Sequence, residues 1–183
     1  ITIAGAAGSG KSSTANLVAQ ELGYKRFSSG DFMRKIALEL NISLNELSTK
    51  AEQDDSIDYK IDEEVKKTGL GNKLVIDSRL AFHWIPDSFK VYLELNPEDA
   101  VERITKDLKT NKLRQESEHA ENKKEILKKI TERLNSEKKR YLKLYDIDYT
   151  DKNNYDLVID TKINNLQEVA YIIVKEYKKW LEN

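Results

Sequence analysis

Close to the start of the 183-residue chain stands a run of residue types suited to holding phosphate, Gly5-Ala6-Ala7-Gly8-Ser9-Gly10-Lys11-Ser12, followed by Ser13. It fits the pattern G-x-x-x-x-G-K-[ST] of a phosphate-binding loop. Glycines let backbone N–H groups turn inward around anionic oxygens where a Cβ would obstruct the turn. A helix beginning near Lys11 aims its positive dipole end at the same anion. Lys11 can reach the outer phosphates, and the Ser12 hydroxyl is a hard oxygen suited to Mg²⁺. An apolar strand before the loop and an amphipathic helix after it supply the context that a chance Gly-rich turn lacks. Such a site also needs a carboxylate at the end of another core strand, near the magnesium. Leu74-Val75-Ile76-Asp77 offers one, although an Asp there can equally cap the next turn. Asp160 ends a similar run but has no neighbouring arginine, and it reads as structural.

A second element, Ser29-Gly30-Asp31-Phe32-Met33-Arg34, follows a short β-rich run. Asp31 is expected to cap a helix, and Arg34, one turn on, to project its planar fork toward an anion. A third lies in a long helical segment, residues 121–144. Ile130, Leu134, Tyr141 and Leu144 form an apolar seam there, and Glu137 interrupts it with Arg133 and Arg140 on either side. Such a charge is either a buried paired ion or part of a site, with a solvated i,i+4 pair as the plainer reading. On the seam alone, Glu137→Leu is expected to hold or raise stability, and to lower activity if the charge is functional. A GTPase switch needs D-x-x-G and N-K-x-D elements, and the chain contains neither.

Composition narrows the classes further. The 31 basic and 32 acidic side chains leave a formal net charge of -1, which disfavours a nucleic-acid-binding surface. Without cysteine there is no disulfide framework or thiolate site, and the two histidines, His83 and His119, lie far apart. No apolar run is long enough to span a bilayer, and no signal-peptide pattern opens the chain. The expectation is a cytoplasmic monomer with no membrane or nucleic-acid partner. Because the chain opens at Ile1 without Met, a residue or two is expected upstream.

These residues need strands and helices to position them. Five β-rich runs, at residues 1–4, 24–28, 74–77, 91–95 and 157–160, alternate with helical patterns, which predicts βαβ units. The apolar triplets at Leu74 and Leu157 predict strands buried on both faces. Helices are predicted over residues 11–22 with Gly23 as C-terminal cap, from the capping box Ser43-Leu44-Asn45-Glu46, from Pro97 to about 107, over 121–144 and over 166–181. The fold class expected is a three-layer α/β/α P-loop domain spanning residues 1–183, with a five-stranded parallel sheet. A helical acceptor-binding insert (31–70) and a short lid (106–122) depart from this core.

Further motifs carry a resemblance. Val75-Ile76-Asp77-Ser78-Arg79-Leu80-Ala81, Val91-Tyr92-Leu93, Arg133 with Glu137 and Arg140-Tyr141, Asp146-Ile147-Asp148, and Tyr155-Asp156-Leu157-Val158-Ile159-Asp160-Thr161 resemble the cytidylate kinases, particularly their archaeal-type branch. The resemblance runs over nearly the whole chain. It implies ATP-dependent phosphorylation of CMP or dCMP, giving the diphosphate and ADP, with Mg²⁺ as cofactor. It implies that the loop from Gly5 to Ser13, with Lys11, binds the ATP phosphates, and that Arg103 covers ATP. Asp31, Arg34, Asp77, Arg79, Arg133 and Glu137 then serve the acceptor, with Ser12 and, through water, Asp77 near the metal. Lys11, Arg79, Arg133 and Arg140 are the implied catalytic group. Glu137 stands where the family often has Asp, and Ser78 where glycine is commoner. Rival readings are a kinase of AMP, shikimate or dephospho-coenzyme A, or a P-loop module that binds ATP without metabolic turnover. Some residues keep two readings. Phe82-His83-Trp84 could stack on a base or pack locally. Asp58 and Asp62, a helical turn apart, could accept from a cytosine amino group or be solvated. His119 reads as solvated, and Arg114 is a candidate lid arginine.

Overall fold

The computed structural model describes residues 1–108, 112, 115 and 122–182. Among these residues the order is β1 (Thr2–Gly5), α1 (Lys11–Leu22), β2 (Lys25–Ser28), α2 (Ser29–Glu39), α3 (Leu44–Ala51), α4 (Ser56–Gly69), β3 (Leu74–Asp77), α5 (Ala81–Trp84), β4 (Lys90–Glu94), α6 (Pro97–Asp107), α7 (Lys123–Tyr145), β5 (Leu157–Asp160) and α8 (Leu166–Trp180). The strands form one parallel sheet in the order β2-β3-β1-β4-β5. The chain's direction of travel across the sheet reverses at β1. In such sheets the crevice opens beyond the carboxyl ends of the strands beside that reversal. The phosphate-binding loop leaves β1 there, and Asp77 ends β3 beside it.

Strand alternation divides the core between two faces. Val75, Ile3, Val91, Leu93 and Ile159 pack with Val18 of α1 and Val169 and Ile173 of α8. Ile76, one residue after Val75, instead joins Val65 of α4 and Ala81 of α5. On that second side α6 and α7 meet through Val101, Ile104, Ile126 and Ile130, closing a three-layer α/β/α arrangement. Each such buried aliphatic side chain stabilises the fold by roughly 1.5–3 kcal/mol relative to exposure. The apolar triplet of β3 is largely buried as expected, but Leu157 and Val158 of β5 are only half-buried. The reason is position: β5 is an edge strand with β4 as its one neighbour.

Helix ends follow local chemistry closely. Gly23 closes α1 in the left-handed region at φ 67°, with its N–H bonded to the carbonyls of Ala19 and Gln20. The Ser43–Glu46 capping box forms, and Asn96 caps α6 ahead of Pro97. One expectation needs correcting. Helix α2 begins at Ser29, and Ser28 rather than Asp31 is its cap: the Ser28 side chain accepts from the Asp31 N–H. Strand β2 therefore passes directly into α2, with Ser28 serving both. Asp146, at φ 56°, ends α7 and turns the chain back toward β5. Between them, α2, α3 and α4 fill residues 29–69, the region read as a helical insert. Most of the 106–122 segment, including Arg114 and His119, lies outside the described residues. No helix among the described residues is long and apolar enough to cross a membrane.

Candidate active site

The loop after β1 is shaped by three glycines at positive φ, Gly5, Gly8 and Gly10. A Cβ on Gly5 would lie 2.3 Å from the Leu93 carbonyl oxygen, and one on Gly8 would press on Ala100 at 3.0 Å. Gly10, at φ 85°, starts α1 in the left-handed region, with no side chain capping the helix. The first amides of α1 thus face the loop's concavity with no acidic residue in the first turn, which suits an incoming anion. Lys11 folds back over the loop and donates to the carbonyls of Gly5 and Ala6 at 2.8 and 2.7 Å. Burial, and then the nearby Arg79 charge, lower its pKa to about 7.

Asp77 collects hydroxyls and a guanidinium. Its Oδ2 accepts from Ser12 Oγ at 2.5 Å, Ser28 Oγ at 3.0 Å and Arg26 Nη2 at 3.3 Å. Parallel pairing in register sets Ser28 opposite Asp77 and explains the first of these neighbours from β2. Arg26 Nη2 also reaches Asp31 at 3.0 Å, and Asp31 Oδ1 pairs with Arg34 at 3.4 Å. Arg26 had no signal in the sequence. It belongs to an edge strand, and only the register of β2 on β3 brings it to Asp77.

Glu137 is the centre of a second cluster. It is 2% exposed and forms an ion pair with Arg79 Nε through Oε2. Its Oε1 lies 4.0 Å from Arg133 Nε, and its Oε2 accepts from the Tyr149 hydroxyl at 3.2 Å. Burial works against charge on Arg79, but the Glu137 carboxylate together with the Tyr149 and Tyr141 phenols outweighs it and raises the arginine's pKa. A solvated surface pair is excluded by this burial.

One cleft, with a cavity volume of about 390 Å³, joins the two clusters. Ala7 to Ser13, Arg34, Asp77, Arg79, Arg103, Arg133 and Glu137 all line it, together with Thr161, Asn164 and Asn165 from the turn after β5. Arg103 is tied to that turn, donating to Thr161 Oγ1 at 3.1 Å and to the Thr161 carbonyl. Four candidate residues, Gly5, Ala6, Asp31 and Arg140, do not line the cleft.

Arg140, expected in the catalytic group, is also drawn elsewhere. It is 2% exposed and grips Asp58 through Nε at 2.6 Å and Nη2 at 3.4 Å. Its Nη1 meets the Ser48 carbonyl and Ser136 Oγ at 3.2 and 2.6 Å. The arginine therefore binds α7 to α3 and α4. The solvated reading of Asp58 and Asp62 fails: both are buried, and Asp62 accepts from the Tyr145 hydroxyl at 2.5 Å. Of the local aromatic run, Phe82 packs on Tyr155 and Trp84 meets Tyr145 edge-on, so local packing holds for both. Asp160 binds its own turn, its carboxylate accepting from the Lys162 N–H and its backbone carbonyl from Asn164 Nδ2.

Residues 1–163 match the model of the cytidylate kinase-like family. The cytidylate kinase of Methanosphaera stadtmanae is 32% identical over all of this chain and 98% of its own length. A protein of Lacinutrix mariniflava named S-adenosylmethionine-dependent nucleotide dehydratase is 33% identical over 98% of this chain, which spans only 36% of that relative's length. In fold, the shikimate kinase of Acinetobacter baumannii, solved with shikimate, superposes with a TM-score of 0.60 at 17% identity, covering 97% of this chain and 92% of that one. That last likeness is one of architecture.

Proposed function

The chain belongs to the cytidylate kinase-like family, and on that premise we propose that it transfers the γ-phosphoryl group of ATP to CMP or dCMP, yielding the nucleoside diphosphate and ADP. The observation that carries this reading is the meeting, in one cleft, of a P-loop with three arginines, Arg34, Arg79 and Arg133. A loop alone would serve any nucleotide-binding protein. A second cationic cluster facing it suits an acceptor that itself bears phosphate.

The proposed roles follow from position. The α1 amides and Lys11 hold the ATP phosphates, Lys11 exchanging its two loop carbonyls for phosphate oxygens. Arg34, Arg79 and Arg133 grip the acceptor phosphate, and Glu137 keeps Arg79 and Arg133 together. An oxygen of the acceptor phosphate then attacks the γ-phosphorus, and the bridging oxygen leaves with ADP. No general base is needed, because the attacking oxygen is already anionic. The chain's contribution is alignment and preplaced positive charge, which dominate phosphoryl transfer. Kinases of this family use ATP with Mg²⁺. Ser12 and Asp77 converge as hard oxygen donors that fit it. Substrate phosphates and water would supply most of the remaining ligands of such an ion. When bound, the ion would neutralise charge on the phosphates.

Helices α2 to α4 are proposed as the acceptor-side cover and residues 106–122 as the ATP-side cover, together excluding water that would hydrolyse ATP. A coupled assay of ADP release across the common monophosphates tests the function. CMP and dCMP should exceed AMP and GMP at least tenfold in kcat/KM, because a pocket built for one base edge leaves polar groups unpaired with another. Equal rates with AMP would move the assignment to a general nucleotide kinase. Absence of any acceptor-dependent ADP release would leave an ATP-binding module.

A further inference from the structure

Tyr149 is not accounted for by the reading above. It is among the largest fully buried side chains, at 0% exposure, yet it carries a hydroxyl. That hydroxyl donates to Glu137 Oε2, and the Arg79 guanidinium carbon lies 5.9 Å from the centre of its ring. We propose that Tyr149 is a positioning residue for phosphoryl transfer, fixing the Glu137 carboxylate between Arg79 and Arg133 so that both arginines present their forks to the acceptor phosphate.

The geometry supports this in three ways. First, a carboxylate offers about four lone-pair positions on two oxygens. Oε2 serves both Arg79 and Tyr149, while Oε1 faces Arg133. Without the phenol, the carboxylate is free to swing onto one arginine and abandon the other. Second, both arginines approach Glu137 with Nε, as ion pairs by distance and without a hydrogen bond at that atom. That is the side of a guanidinium which a bidentate Nη grip on phosphate does not use. Third, the phenol is itself held. The turn at Asp146 brings the chain back, and the Tyr155 hydroxyl donates to the Tyr149 carbonyl at 2.6 Å. Tyr155 packs on Phe82 and Tyr92 with ring centres 4.9 and 5.0 Å away, and Tyr141 meets the Tyr149 ring edge-on at 5.8 Å. A buried donor pinned at its backbone and ring is a rigid post for the charge it touches. Burial and the Glu137 charge both raise the phenol's pKa, so it remains a donor throughout the working range.

This inference rests on the proposed role of Glu137, and the test separates the two. Tyr149→Phe removes only the hydroxyl and keeps the packed ring. A hydrogen bond to a charged group is stronger than one between neutral partners. Tyr149→Phe should therefore lower kcat/KM for CMP roughly tenfold or more, with KM for ATP unchanged. Glu137→Gln should lower the same parameter, and adding Tyr149→Phe to it should cost little more, because the charge to be positioned is gone. If Glu137→Gln lowers turnover of CMP while Tyr149→Phe does not, Tyr149 is a packing residue and the proposal fails alone. Losses that simply add, or an equal rise in KM for ATP, overturn it as well. Full activity in Glu137→Gln would instead overturn the assignment of the arginine cluster.

Discussion

At Lys11, burial first and the Arg79 charge second bring the ammonium pKa down to about 7 from its ordinary 10.5. Near pH 8 the free protein therefore holds this group largely neutral, and at pH 6 largely charged. ATP phosphates favour the charged form and should restore the pKa upward. Binding of ATP at pH 8 should take up close to one proton, and at pH 6 almost none, measured by titration calorimetry in buffers of different ionisation heat. The same shift makes the free fold gain stability between about pH 7 and 10.5, where the unfolded chain holds the proton that the folded one has lost. Lys11→Ala should abolish the uptake and lower turnover about 10²-fold or more, with the circular dichroism of the fold retained. Unchanged turnover would place catalysis elsewhere. The residue types of the loop announce all of this in the sequence except the pKa, which depends first on burial and then on Arg79 arriving just after β3.

Helix α7 carries two charges whose surroundings alter what its seam alone predicts. By that seam, Glu137→Leu holds stability. In the structure Glu137 compensates Arg79 and Arg133, and removing one partner of a buried pair costs on the order of 3 kcal/mol. Glu137→Leu should therefore lose stability as well as activity, seen as a lower urea midpoint. Arg140→Ala should cost about 3–5 kcal/mol at pH 7, because it strands the Asp58 carboxylate between α4 and α7. Burial already raises the Asp58 pKa. Without its arginine the group should protonate readily, so the deficit should shrink as the pH falls toward 5. A deficit independent of pH would mean that packing, not the stranded charge, sets it. The periodicity of α7 is legible in the sequence; the partners are not, since Asp58, Ser48, Arg79 and Tyr149 come from four separate stretches.

For the whole molecule, the cleft joins loop, sheet ends and helical insert, so ligands that occupy it must add to global stability. At concentrations of ATP and CMP each about a hundred times its Kd, each contributes about 2.7 kcal/mol. For a chain of this size that corresponds to a rise in melting temperature of roughly 5–10 °C per ligand. A scan in which CMP gives no shift, with ATP bound or without it, would contradict an acceptor site in this cleft. The sequence by itself determined the strand and helix alternation, the phosphate-binding loop, the caps at Gly23 and Ser43, the start of α6 at Pro97, and the family. Each is written in local spacing, where backbone sterics and a few neighbouring side chains decide the outcome. Tertiary structure alone decided that β5 is an edge, that Arg26 reaches Asp77, that Arg140 serves the junction of α7 with α3 and α4, and that Tyr149 meets Glu137. Those facts follow from strand order and register, which bring residues far apart in sequence within hydrogen-bond distance. No short-range pattern encodes them, because the energy that selects each contact is released only when the whole sheet and its helices have assembled.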